Sequence, residues 1–209
     1  MKTLYIDTSS SFLYAGILED NKVLEEVKKE FGQNLSKETL PEIDKLFKKS
    51  KIEPKDINKI VVVNGPGSFT GIRIGITIAK TYAWALNIDI ITINSLEAMS
   101  ISCEEKTNHV PVLDARRGYV FAAIYDKDSN IILKPQHILI EELQKELNKL
   151  DEYIIISNDE IEEFDNISKY DPNISKIVER VIDRKPINPH AVNPEYLKLT
   201  EAEENNLKW

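Results

Sequence analysis

Only seven glycines occur in this chain of 209 residues, and four of them, Gly65, Gly67, Gly71 and Gly75, fall within one short passage. They follow Ile60–Val63, an apolar β-branched run that reads as a buried strand, and they run into Ile72–Leu86, which has helical length and composition. Glycine permits positive φ and close backbone approach, so this strand-to-helix joint must pass unusually near something else. One expectation is a tight turn that packs a helix on its own strand. The other is a binding role, because a helix starting there aims free N–H groups and a positive dipole end outward, which makes Gly65, Gly67, Ser68 and Thr70 candidate anion or nucleotide contacts. Two nucleotide motifs fail at this loop. A P-loop needs a terminal Gly-Lys-Ser/Thr, and the dinucleotide pattern needs glycine where Thr70 stands.

The following helix carries Gly71, Gly75, Ala79 and Ala83 at intervals of four, a narrow strip that lets another element come close. Its neighbour is the protein's own sheet, the preceding helix, or a second protein. The last reading predicts that Gly75→Leu blocks partner binding and leaves the monomer folded.

Around this joint the pattern is that of an α/β chain with mixed sheets. Leu4–Ile6, Phe12–Leu18 and Val23–Phe31 read as three antiparallel strands. Ser36–Lys49 reads as an amphipathic helix through Leu40, Ile43, Leu46 and Phe47, with a capping box at Thr39-Leu-Pro-Glu42. Ile88–Ile93 is a further strand, and Ser95 caps a helix holding Leu96 and Met99. Strands at Val110–Leu113, Tyr119–Tyr125, Ile131–Leu133 and Tyr153–Ser157 alternate with helices at Glu141–Leu150 and Ile174–Ile182. The seam falls near residues 100–109, dividing the chain into 1–100 and 101–209, with Thr200–Lys208 as a polar surface tail ending at Trp209. No repeat period or low-complexity segment is present.

The balance of 27 basic and 35 acidic residues, net −8, repels a phosphate backbone, so any contact with nucleic acid is expected through a partner. No run approaches membrane-spanning length and no signal-like apolar start appears, which points to the cytoplasm and to no membrane role. The single cysteine, Cys103, reads as a small core residue. His109, His137 and His190 lie far apart, so no metal site is expected. Asp114, Arg116 and Arg117 form a charged cluster that reads as a solvated ion-pair group.

The run Asn64-Gly-Pro-Gly-Ser-Phe-Thr-Gly-Ile-Arg-Ile-Gly75 resembles the signature of the TsaB (YeaZ) family of bacterial tRNA threonylcarbamoyl-adenosine modification. Leu4-Tyr-Ile-Asp-Thr-Ser9, Asp114-Ala-Arg-Arg-Gly-Tyr-Val-Phe121 and Asn193-Pro-Glu-Tyr-Leu-Lys198 agree with it in order. Leu35 and Tyr119 depart from it, standing where many members carry histidine and glutamate. The resemblance implies an actin, hexokinase and Hsp70-like (ASKHA) fold, with two related subdomains each built on a mixed five-stranded sheet flanked by helices. It implies a non-catalytic subunit that activates a TsaD-type catalytic subunit, together with a TsaE-type ATPase, for transfer to adenosine 37 of ANN-decoding tRNAs. The residues expected at the TsaD or homodimer face are Leu40, Ile43, Phe47, Gly71, Gly75, Ala79 and Ala83, with no cofactor and with tRNA contacted only indirectly. An ASKHA-type phosphotransferase or ATPase is the alternative, since Asp7-Thr8-Ser9 resembles part of a phosphate loop. A peptidase lacks support, because no Gly-x-Ser-x-Gly elbow occurs.

Overall fold

The computed structural model describes residues 1–198; the tail residues Thr200–Lys208 and Trp209 lie outside the described residues. Strands β1 (Lys2–Asp7), β2 (Phe12–Glu19) and β3 (Lys22–Glu30) form an antiparallel meander. Helix α1 (Leu35–Ser50) leads to β4 (Lys59–Val63), and α2 (Phe69–Leu86) leads to β5 (Asp89–Ile93). Both new strands add in parallel, giving the order β3-β2-β1-β4-β5.

The central strands are apolar on both faces, and the two-residue period assigns each side chain to a layer. Leu4, Ile6, Ile60 and Val62 meet α1 and α2, whereas Tyr5, Val61, Val63, Ile91 and Ile93 face the opposite layer. Helix α3 (Ser95–Ser102) precedes a second sheet of β6 (Asn108–Arg116), β7 (Tyr119–Tyr125), β8 (Ile131–Leu139) and β9 (Tyr153–Ile156), with α4 (Ile140–Leu147) before β9. Its order, β8-β7-β6-β9, repeats the meander followed by a parallel strand. Among the described residues this sheet has four strands and not the five expected. An isolated parallel bridge from Ile156 to Ser168 stands where a fifth would add.

Helix α5 (Ile174–Val181) returns to the first sheet, placing Ile174, Ile177, Val178 and Val181 against Tyr5, Tyr14 and Val61. A division into 1–100 and 101–209 therefore follows the chain but not the packing, since α5 completes the first sheet's second layer. Helix α1 begins before the expected capping box: Thr39 is buried inside it and its hydroxyl donates to the Leu35 carbonyl at 2.6 Å. Asn94, not Ser95, caps α3, accepting from the Leu96 amide at 2.9 Å. Strand β8 runs six residues beyond its expected end at Leu133 and tolerates Pro135, because it is the outer strand of its sheet.

Candidate functional site

The four clustered glycines all serve contacts inside the chain. A β-carbon on Gly67 would run into the Ser9 carbonyl, one on Gly71 into the Thr8 carbonyl, and one on Gly75 into the Thr8 hydroxyl. At Gly65 the obstacle would be the Glu195 carbonyl, 2.7 Å away. The loop is bonded on both sides. The Ser68 amide donates to the Ser9 carbonyl at 2.7 Å, the Ser95 amide to the Gly65 carbonyl at 2.8 Å, and the Ser95 hydroxyl to the Pro66 carbonyl at 2.6 Å. Ser68 caps α2 by accepting from the Gly71 amide at 3.2 Å. Of the expected anion contacts, Ser68 and Thr70 are exposed, Gly67 is half-buried and Gly65 is buried.

Beneath this loop lies the end of β1. The Thr8 hydroxyl donates to the Gly71 carbonyl at 2.7 Å, and the Ser9 amide and hydroxyl donate to Asp7 Oδ1 at 2.8 and 2.7 Å. Burial pushes the Asp7 carboxyl above its ordinary range against the lowering effect of those two bonds. The segment that resembles a phosphate loop is thus engaged with its own turn and with the amino end of α2.

The strip Gly71, Gly75, Ala79 and Ala83 is buried, and so are Ile43 and Phe47 of α1. This corrects the expectation that they face a partner. The small residues let α2 settle onto its own sheet, where Thr8 and Ile6 fill the space above Gly75. Of the seven residues expected at a partner face only Leu40 is exposed, at 51%.

What α2 turns outward is different. Its only charged side chains, Arg73 and Lys80, are seven residues apart and so share a face, and both engage the C-terminal arm. Arg73 Nε donates to the Tyr196 hydroxyl at 2.8 Å, with the guanidinium 3.8 Å over the Phe69 ring, and Phe69 and Tyr196 stack at 5.0 Å. Lys80 donates to the Val192 carbonyl at 3.0 Å. The rest of the outer surface is uncharged: Thr70, Thr77, Thr81, Trp84 and Ala85 are exposed and Ile74 is half-buried. A solvated helix usually carries charge on its free face, whereas this one leaves an uncharged surface with Trp84 at 68% exposure. Sequence reasoning missed it, although the seven-residue spacing of the only two charges was available.

Between the two sheets a polar clasp closes the molecule. Asn158, just after β9, donates to the Tyr14 hydroxyl of β2 at 2.8 Å and to the Tyr170 carbonyl at 3.1 Å, while accepting from the Tyr170 amide at 3.1 Å. The Tyr14 and Tyr170 rings meet edge-on at 5.5 Å. Burial, reinforced by neighbours that include the Asp7 carboxylate, pushes the Tyr5, Tyr14 and Tyr170 phenols up.

The family model described as TsaD, tRNA N6-adenosine threonylcarbamoyltransferase, matches residues 23–172. The tRNA threonylcarbamoyladenosine biosynthesis protein TsaB of Bacillus subtilis (strain 168) is 29% identical over 227 residues, covering 100% of this chain and 98% of its own. The TsaB of Escherichia coli (strain K12) is 32% identical over 160 residues, covering 69% of this chain and 67% of its own. The chain belongs to the TsaB (YeaZ) family. Among solved structures, YeaZ from Pseudomonas aeruginosa superposes with a TM-score of 0.74 at 15% identity, covering 93% of this chain and 100% of its own. An uncharacterized Pseudomonas aeruginosa protein with similarity to peptidase YEAZ gives 0.78 at 15% identity, over 94% and 99%. At that identity the two structures speak for the fold alone.

Family membership and the repeated meander-plus-parallel sheets agree on an actin, hexokinase and Hsp70-like fold. The remaining sequence candidates are dispersed over it. His109 is buried in β6, His137 stacks on Tyr119 at 4.5 Å, and His190 lies in the short turn Pro189–Ala191. Among the described residues no group of three His, Cys, Asp or Glu side chains could hold a metal ion, and no helix is long and apolar enough to cross a membrane. Asp114 does not pair with the neighbouring guanidinium groups as expected; its carboxylate accepts the Arg116 amide at 2.7 Å, folding a hairpin in which Arg116, Arg117 and Gly118 all have positive φ.

Proposed function

We propose that this protein is a non-catalytic subunit of tRNA threonylcarbamoyladenosine biosynthesis that binds and activates a TsaD-type catalytic subunit through the outer face of α1 and α2. The observation that carries this is the uncharged exposed surface of α2, from which Arg73 and Lys80 are drawn to the C-terminal arm, together with the exposed Leu40 of α1. The family model and the names of the relatives supply the pathway. A related subunit with an equivalent pair of helices is the natural occupant, and a second copy of this chain uses the same face when that partner is absent. A TsaE-type ATPase acts on the assembled pair, and tRNA is held by the partner, as the net charge of −8 favours. The engagement of Asp7, Thr8 and Ser9 with the glycine loop supports a subunit without phosphotransfer chemistry of its own.

The test is complex formation with the TsaD-type subunit, read by size-exclusion chromatography and calorimetry on folded Leu40→Glu and Thr77→Arg variants. Burying an unpaired charge at the centre of an interface is expected to weaken binding by about 30-fold or more. Wild-type affinity in both variants would remove this face from the reading.

A further inference from the structure

We propose that the groove between α2 and the C-terminal arm, residues 186–198, is a carboxylate site, in which Arg73 holds an acidic side chain of the partner and Lys80 adds attraction from the same wall.

A groove of about 680 Å³ runs between α2 and the arm, with Arg73, Thr77, Lys80, Pro194 and Tyr196 on its walls. Thr77 belongs equally to the uncharged outer surface of α2, so the groove borders the face where the proposed partner sits. Among the described residues no aspartate or glutamate lines it. Glu195 of the arm is turned aside: its carboxylate accepts from Asn94 Nδ2 at 3.1 Å, while its amide donates to the Asn64 carbonyl at 2.7 Å.

Cations elsewhere find carboxylates within the chain, as Lys176 does with Glu104 at 2.7 Å and Lys45 with Glu42 at 2.8 Å. Arg73 and Lys80 meet only neutral oxygens. A guanidinium donates from every nitrogen. Arg73 gives Nε to the Tyr196 hydroxyl at 2.8 Å, and its terminal nitrogens have no acceptor among the described residues. The Phe69 ring, 3.8 Å beneath, holds the group in place. Lys80 Nζ donates to the Val192 and His190 carbonyls at 3.0 and 3.3 Å. The Tyr196 hydroxyl, accepting from Arg73, keeps its own proton to give.

A partner that covers Thr77 takes these donors out of water. Buried without a counter-charge they would oppose association, so the partner must bring acceptors and negative charge. A carboxylate answers the guanidinium fork with two parallel bonds. Lys80, two turns further and about 10 Å along the axis, acts on it by field. A phosphate offers similar acceptors, but a nucleic-acid backbone brings a row of charges against a chain of net −8. An aspartate or glutamate of a protein partner is the source that the charge favours.

Because the site rests on the proposed association, its test is calorimetric affinity for the TsaD-type subunit at about 0.05 and 0.5 M sodium chloride, where screening differs most. Arg73→Gln is expected to bind about tenfold more weakly than wild type at low salt and about threefold or less at high salt. Lys80→Gln should lose about threefold at low salt. Tyr196→Phe removes the hydroxyl that steadies Arg73 but no charge, and should bind within about twofold of wild type. Melting temperatures check that each variant is folded; should Arg73→Gln not fold, Lys80→Gln at the two salts decides. Wild-type affinity in Arg73→Gln, an equal loss at both salts, or the same loss in Tyr196→Phe overturns the carboxylate site, while a loss with Leu40→Glu still upholds the face. Binding of tRNA to the chain alone that Arg73→Gln abolishes would assign the groove to phosphate instead. No binding by wild type overturns the site and the proposed function together.

Discussion

The inward and outward faces of α2 obey opposite rules. Inward, Gly71, Gly75, Ala79 and Ala83 bring the helix down onto β1 and the rest of its own sheet, where Thr8 and Ile6 occupy the space that side chains would need. Outward, threonine, isoleucine and tryptophan stand free of charge while the helix's two cations are drawn aside to the arm. Close approach is used within the monomer, and the outward face presents uncharged surface, which is where the proposed partner would sit. A stripe of small residues therefore marks where a helix is near something, not where it meets a stranger.

The largest break in that comparison is Gly75→Leu. It replaces the expectation of a folded, binding-deficient monomer, because the new side chain meets the Thr8 hydroxyl and Ile6. Overpacking of this kind costs about 3 kcal/mol, a fall in melting temperature of roughly 6–12 °C for a chain of this size. An unchanged melting temperature would return the strip to the surface. Next in size, Leu40→Glu and Thr77→Arg should leave the melting temperature within a few degrees, since exposed substitutions shift stability by no more than about 0.5 kcal/mol, while they cut partner affinity. Tyr14→Phe removes the cross-sheet bond from Asn158 and should cost about 1 kcal/mol in denaturant unfolding without touching the outer face.

The smallest effect is a pH slope. Asp7 lies under the amino end of α2 with its folded carboxyl raised by burial, so the folded state holds the proton more tightly than the unfolded one. Its stabilising contribution is complete below the ordinary carboxylate value near 4 and is lost as pH rises through the raised folded value. Asp7→Asn, whose side-chain oxygen can still accept from Ser9, should flatten stability across mildly acidic pH. A melting curve against pH that keeps its wild-type slope would place the effect elsewhere.

Much of the first sheet was readable from sequence because β1 and β4 are apolar on both faces and their β-branched runs have few other uses. The glycine joint was readable as a close approach, but spacing of four reports distance to a neighbour and not the neighbour's identity, which is how Ile43, Phe47 and the strip were turned outward. The clasp joins Tyr14 to Asn158 across 144 residues and leaves no local pattern. The return of α5 to the first sheet is equally silent, since Ile174, Ile177, Val178 and Val181 show an apolar stripe without saying which sheet it covers.

The central claim, a required subunit without chemistry of its own, is tested most directly by threonylcarbamoyl transfer to tRNA in a mixture of the TsaD-type subunit, the TsaE-type ATPase and the adenylate-forming enzyme, with and without this chain. The account predicts transfer only when the chain is present, loss of transfer with Leu40→Glu, and no ATP turnover by the chain alone. Full transfer in its absence, or turnover by the isolated chain, would contradict it.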